Sequence, residues 1–109
     1  MINKELIKKA VAKISAQFNP QRIILFGSYA RGTADDKSDI DLLVICPLRK
    51  RRRTLMLEMD RVLKGLKLAR DIVVLSPGEF EIEKEISGTI ARYAWKEGKP
   101  LYEHKQKSK

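Results

Sequence analysis

Three short runs in this chain are apolar without interruption: Ile23-Ile24-Leu25-Phe26, Leu42-Leu43-Val44-Ile45-Cys46 and Ile72-Val73-Val74-Leu75. A strand with one wet face alternates apolar and polar residues. These runs do not alternate, so each must be covered on both faces, or nearly so. Gly27, Pro47 and Ser76-Pro77 cut them off at the lengths of strands. Helical patterns supply the cover. Leu6, Ile7, Ala10, Val11, Ile14 and Phe18 predict an amphipathic first helix ending near Asn19-Pro20. A short helical turn from Ser28 to Gly32 and a polar loop through Ser38 separate the first two strands. Leu55, Met59, Val62, Leu63 and Leu66 predict another helix, closed around Gly65. Ser76-Pro77-Gly78-Glu79 places a capping serine, a first-turn proline and a glutamate three residues past the cap. That start predicts one helix running through Ile82, Ile86, Ile90 and Ala94 to Glu97-Gly98, with Pro100 to Glu103 as a short last strand. The fold class is therefore α/β or α+β, a small mixed β-sheet flanked by helices.

The 109 residues suffice for one core and not for two. One domain over 1–103 is expected, with 104–109 (HKQKSK) as a flexible basic tail. The single cysteine, Cys46, excludes an intrachain disulfide and any Cys-based zinc cluster, and its place at the end of an apolar strand makes it a buried, inert thiol. No apolar stretch approaches the ~20 residues of a membrane span, and the charged start MINKELIKKA lacks a signal-peptide centre. A cytoplasmic protein with no membrane partner is the expectation. With 23 Lys+Arg against 14 Asp+Glu, the net charge of +9 favours anionic partners without choosing among them.

Against that charge, Asp35, Asp36, Asp39 and Asp41 crowd into seven residues at the mouth of the second strand. Residues two apart on a strand point to one face, roughly 6.5–7 Å apart along the chain. Asp39 and Asp41 thus aim their carboxylates the same way while Ile40 enters the core. Such a pair repels itself unless a cation intervenes. With only oxygen ligands and no histidine or thiol set, a hard divalent ion, Mg²⁺ or Mn²⁺, suits the pair, its shell completed by water and phosphate. Asp71 heads the third strand and can add a third carboxylate if that strand neighbours the second. Gly27-Ser28 ends a strand and opens a helical turn, so its backbone N–H groups and the Ser28 hydroxyl can receive phosphate oxygens. An anion cradle beside a cation cage is what a metal–triphosphate complex requires.

Gly27-Ser28-Tyr29-Ala30-Arg31-Gly32 followed by Ser38-Asp39-Ile40-Asp41-Leu42 resembles the signature of the nucleotidyltransferase superfamily that includes DNA polymerase beta. In size and in the form GSxARG…SDxDL the chain is similar to minimal nucleotidyltransferases of bacteria and archaea. Asp71-Ile72-Val73-Val74 matches the third-carboxylate strand, and Glu97 to Glu103 looks like the family's usual ending, so the resemblance covers nearly the whole chain. It implies the polymerase beta-like fold and an enzyme that binds ATP or another nucleoside triphosphate on Gly27, Ser28 and Arg31. It further implies two Mg²⁺ ions held by Asp39, Asp41 and Asp71 and transfer of a nucleoside monophosphate to a hydroxyl. Minimal members are often paired with a small helical HEPN protein, and in the best-understood pairs the nucleotidyltransferase is an antitoxin that adenylylates a tyrosine of that partner.

Plainer readings stand beside these. Arg31 could cover a helix end or pair with Asp35, and Asp71 could be a strand-entry residue bonded to Arg70. Asp35 and Asp36 read as solvated loop acids. The run Arg49 to Arg53 divides between a solvated helix start and a docking surface, and Tyr93 and Trp95 read as core or interface. A contact-only antitoxin with a vestigial site is the rival function, opposed by three intact acids. Direct nucleic-acid binding is disfavoured because a carboxylate cluster repels phosphate unless metal intervenes. Self-association, the base, the acceptor and the need for a partner stay open.

Overall fold

The computed structural model describes residues 4–104. Helix α1 (Lys4–Phe18) buries Ile7, Ala10 and Ile14 on one stripe and stops where Asn19 takes a positive φ of 48°, a conformation that asparagine tolerates better than most residues. Strand β1 (Arg22–Phe26) leads through Gly27 into the single turn α2 (Ser28–Arg31), and a loop delivers β2 (Ile40–Ile45). Helix α3 (Arg52–Val62) crosses to β3 (Arg70–Leu75), as a parallel strand pair requires. Two helices, α4 (Pro77–Glu83) and α5 (Ile90–Glu97), precede the last strand, β4 (Lys99–Glu103).

The sheet order is β3-β2-β1-β4. β1 runs antiparallel to β2 and β4, whereas β2 and β3 are parallel, so the expected mixed sheet is present. Pro100 falls on β4, the strand at one edge of the sheet, the place in a sheet where proline is tolerated. The two faces are covered separately. Ile23, Leu25, Leu42, Val44, Ile72 and Val74 pack with α1 and α3; Ile24, Phe26, Leu43, Ile45 and Leu75 pack with Phe80, Ala91 and Ala94 of α4 and α5. Double coverage is why the three runs carry no polar alternation. Cys46 is buried, and burial pushes its thiol up despite the opposing Arg49 charge.

The capping box at α4 forms in full. Glu79 N–H donates to Ser76 Oγ at 3.1 Å, and Ser76 N–H donates back to the Glu79 carboxylate at 2.9 Å. The single helix expected from there to Gly98 does not form. Gly88 adopts φ 91°, which only glycine takes without strain, and Thr89 re-caps the chain by accepting from Arg92 N–H at 3.0 Å. The apolar spacing that suggested continuity is not a core stripe, since Ile82, Ile86 and Ile90 are 67%, 48% and 44% exposed. Phe80, Ala91 and Ala94 do the burying instead. The α3 helix likewise stops at Val62 rather than Leu66, with Gly65 at φ 97° in the following turn. His104 N–H still donates to Gln21 C=O at 2.9 Å; the rest of the expected tail, 105–109, lies outside the described residues.

Candidate active site

The acids gather at one end of the sheet because of register and alternation. Asp41 pairs with Phe26 of β1 on one side and with Asp71 of β3 on the other. On β2, Asp41 shares a face with Leu43 and Ile45; on β3, Asp71 shares a face with Val73 and Leu75. Both are the face that α4 and α5 cover. Asp39 lies one residue ahead of β2, with buried Ile40 between it and Asp41.

Gly27 makes room for this arrangement. Its φ of 76° and ψ of −153° lie in a region essentially restricted to glycine. A Cβ built there would stand 2.2 Å from Asp41 Oδ2 and 3.2 Å from its Cγ. The carboxylate therefore occupies the space that a side chain at position 27 would need, and the turn backbone and the acid lie in contact. Ser28 opens α2, and Arg31 N–H donates to Gly27 C=O at 3.1 Å. Because α2 has only four residues, little helix dipole is available there; any anion affinity of this turn rests on its local N–H groups and the Ser28 hydroxyl.

The loop ahead of Asp39 is clasped rather than loose. Asp35 N–H donates to Ser38 Oγ at 2.9 Å, Ser38 Oγ donates to Asp35 Oδ1 at 3.1 Å, and Lys37 N–H donates to the same oxygen at 2.9 Å. The Lys37 bond and then the Ser38 hydroxyl hold the Asp35 carboxyl below its ordinary value. Asp35 is thus a turn-former that fixes the approach to Asp39, which is more than the solvated role expected from the sequence.

Neither plain alternative for Arg31 or Asp71 involves the partner expected of it. The Arg70 guanidinium bonds Asp60 Oδ1 at 2.9 Å and the carbonyls of Asp60, Leu66 and Leu68, turning away from its neighbour Asp71 to tie down the α3–β3 connection. Arg31 does not pair with Asp35; it donates to the Tyr93 hydroxyl and lies 5.9 Å from that ring's centroid. Tyr93 in turn meets Phe26 edge to face at 6.2 Å. A cavity of about 500 Å³ lined by Thr89, Arg92, Tyr93 and Lys96 opens on the α5 side. Tyr93 carried no distinctive sequence signal, since its sixty-two-residue reach to Arg31 exists only in the fold.

The electrostatics converge on Asp41. Burial raises its carboxyl above the ordinary range, the Asp71 and Asp39 charges raise it further, and only Arg31 opposes them. No hydrogen bond contributes to that balance. Among the described residues, no three His, Cys, Asp or Glu side chains stand close enough together to hold a metal ion unaided. Asp41 feels the charges of the other two carboxylates, and the three do not close into a cage. Such an all-oxygen set, with one member desolvated and crowded by like charge, fits a hard divalent ion whose remaining ligands come from water and a phosphate.

A family model for the nucleotidyltransferase domain matches residues 5–102. This chain belongs to that family. Among similar proteins, a Methanocaldococcus jannaschii protein provisionally named protein adenylyltransferase is 30% identical over 109 residues, covering 94% of this chain and 100% of its own length. Another protein of that organism with the same provisional name is 54% identical over 52 residues, 48% of this chain and 29% of its own. The chain thus spans less than a third of that relative and 43% of a second one. A crystal structure provisionally named as a nucleotidyltransferase from Sulfolobus solfataricus superposes with a TM-score of 0.62 at 26% identity, covering 92% of this chain and 79% of that one. A chain of a toxin–antitoxin assembly crystallised with AMP-PNP shares the fold, with a TM-score of 0.54 at 23% identity over 89% of this chain and 73% of its own.

Proposed function

We propose that this chain transfers a nucleoside monophosphate, AMP from ATP, to a hydroxyl of a protein acceptor, a tyrosine on a helical HEPN-type partner, and so acts as an antitoxin. The observation that carries the reading is the seat of Asp41: its carboxylate fills the void beside Gly27, in register with Asp71 and crowded by Asp39. A purely structural acid would have a donor to satisfy it; this one has burial and two like charges, opposed by Arg31 alone. The provisional name of the relatives supports a protein acceptor, and the toxin–antitoxin neighbour supports a partner.

Asp39 and Asp41 would hold Mg²⁺, or Mn²⁺ in its place, and Asp71 would become the third ligand as the ion draws the carboxylates together. When bound, the cation supplies charge neutralisation worth several kcal/mol to a phosphoryl centre. The chain's own groups do the positioning. Gly27 and Ser28 offer N–H and hydroxyl donors to the triphosphate oxygens, and Arg31 brings a fixed positive charge beside them. Asp71, exposed at the start of β3, would orient or deprotonate the attacking hydroxyl. The hydroxyl oxygen attacks the α-phosphorus, the bond to pyrophosphate breaks, and the hydroxyl proton leaves with the base.

The test is incubation with ATP labelled on the α-phosphate, Mg²⁺ and a HEPN-type partner protein, followed by detection of label on protein. Wild type should transfer label, and Asp39→Asn and Asp41→Asn should each lose roughly a hundredfold or more. Transfer by either variant at the wild-type rate would remove the enzymatic reading. Partner capture with no transfer by wild type would favour an antitoxin that works by contact alone.

A further inference from the structure

We infer that Tyr93, on α5, is a positioning residue of the nucleotide site: it holds the Arg31 guanidinium in place for the triphosphate. The inference rests on the nucleotidyltransferase reading above and extends it to a residue sixty-two positions away from the motif. Three contacts carry it. Arg31 Nη1 donates to the Tyr93 hydroxyl. The guanidinium carbon lies 5.9 Å from the Tyr93 ring centroid. The ring itself is fixed at 6.2 Å and 87° against Phe26, which is nearly fully buried and is the strand partner of Asp41.

Arginine has a long, flexible side chain, and this one is exposed. Left alone it would sample many rotamers and give up that freedom when it met a phosphate. Tyr93 removes the freedom in advance from one side only. Its oxygen takes one of the five N–H donors of the guanidinium and leaves the others for an anion. Its ring, set edge to face against Phe26, keeps that hydroxyl in one place. A side chain already held in its working geometry binds more tightly for the same contacts. The sequence gap explains why no local motif announces the pair.

The experiment measures affinity for α,β-methylene ATP, which cannot be cleaved at the reacting bond, with Mg²⁺ by calorimetry. The proteins are wild type, Tyr93→Phe, Arg31→Met and the double variant. Phenylalanine keeps the ring on Phe26, so the thermal midpoint should not move and a change in affinity reports the hydroxyl. Tyr93→Phe should weaken binding about three- to tenfold, the range of a typical intramolecular hydrogen bond. In the Arg31→Met background the same change should have no effect, because there is no guanidinium left to hold. Three results would overturn the inference: unchanged affinity in Tyr93→Phe, tighter binding, which would mean that Tyr93 holds Arg31 away from the site, or equal weakening with and without Arg31. Absence of analogue binding by wild type would instead remove the underlying nucleotide reading, and the inference with it.

Discussion

Replacing Gly27 by alanine tests how tightly the turn and the acid are joined. Two separate costs are expected. At φ 76° and ψ −153° any side chain is strained, by about 1–3 kcal/mol. The new Cβ would also stand 2.2 Å from Asp41 Oδ2, so the carboxylate must move, at a further cost of about 1–3 kcal/mol. Gly32 provides the control. It has φ 77° and ψ 17°, a left-handed conformation costing alanine about 1–2 kcal/mol, but its Cβ would meet nothing within 4 Å. At about 4 °C per kcal/mol for a domain near this size, Gly32→Ala should lower the metal-free thermal midpoint by about 4–8 °C. Gly27→Ala should lower it two to three times as far, by about 8–24 °C, read by circular dichroism under the same conditions. Adding Asp41→Ala to Gly27→Ala removes the overlapping oxygen and should recover the second cost while leaving the first, a coupling the four-protein cycle isolates. Equal losses for the two glycines, or a cycle with no coupling, would refute the close fit of Gly27 and Asp41.

Asp41→Asn should stabilise the metal-free protein at pH 7. The folded carboxyl lies above its ordinary value of 3.8, so the fold loses stability as pH rises from that value through the raised one; the amide removes the loss, and wild type and variant should converge below pH ~3.8. Arg52 and its neighbours in the basic run should behave differently. Arg52 bonds both Glu79 carboxylate oxygens, at 2.8 and 2.7 Å, and the Val74 carbonyl, so Arg52→Ser should lower the midpoint, whereas Arg51→Ser with Arg53→Ser should spare the fold and weaken partner association, most visibly at low salt. The Arg52 bonds, with the Ser76 N–H, hold Glu79 at about 2 against an ordinary 4.5; that stabilisation is present above pH 4.5 and should fade toward pH 2 in wild type but not in Glu79→Gln.

The strands and their double coverage were legible because burial on both faces leaves an unmistakable apolar run, and the capping box was legible because it is local. The meeting of Asp41 with Asp71 was legible only as a condition on which strands are neighbours, and β2 and β3 satisfy it. Ile82, Ile86 and Ile90 keep helical spacing on an exposed surface, so their pattern does not report the break between α4 and α5; Gly88 and Thr89, a glycine followed by a capping residue, are the signal that does. The basic run looked uniform, yet Arg52 is committed to the Glu79 clamp while Lys50 pairs with Glu58 at 2.8 Å. Arg31 and Tyr93 meet through tertiary packing, which no spacing along the chain encodes.

The acids beside Gly27 should create a nucleotide site only when a divalent cation is present. Calorimetric titration of ATP into the protein with Mg²⁺, and again with a chelator, separates such a site from one that needs no metal. Binding with Mg²⁺ should weaken at least about tenfold with chelator, since crowded carboxylates repel a bare triphosphate, and should weaken similarly in Asp41→Asn with Mg²⁺ present. Equal affinity in both media, in wild type and in Asp41→Asn alike, would contradict that requirement.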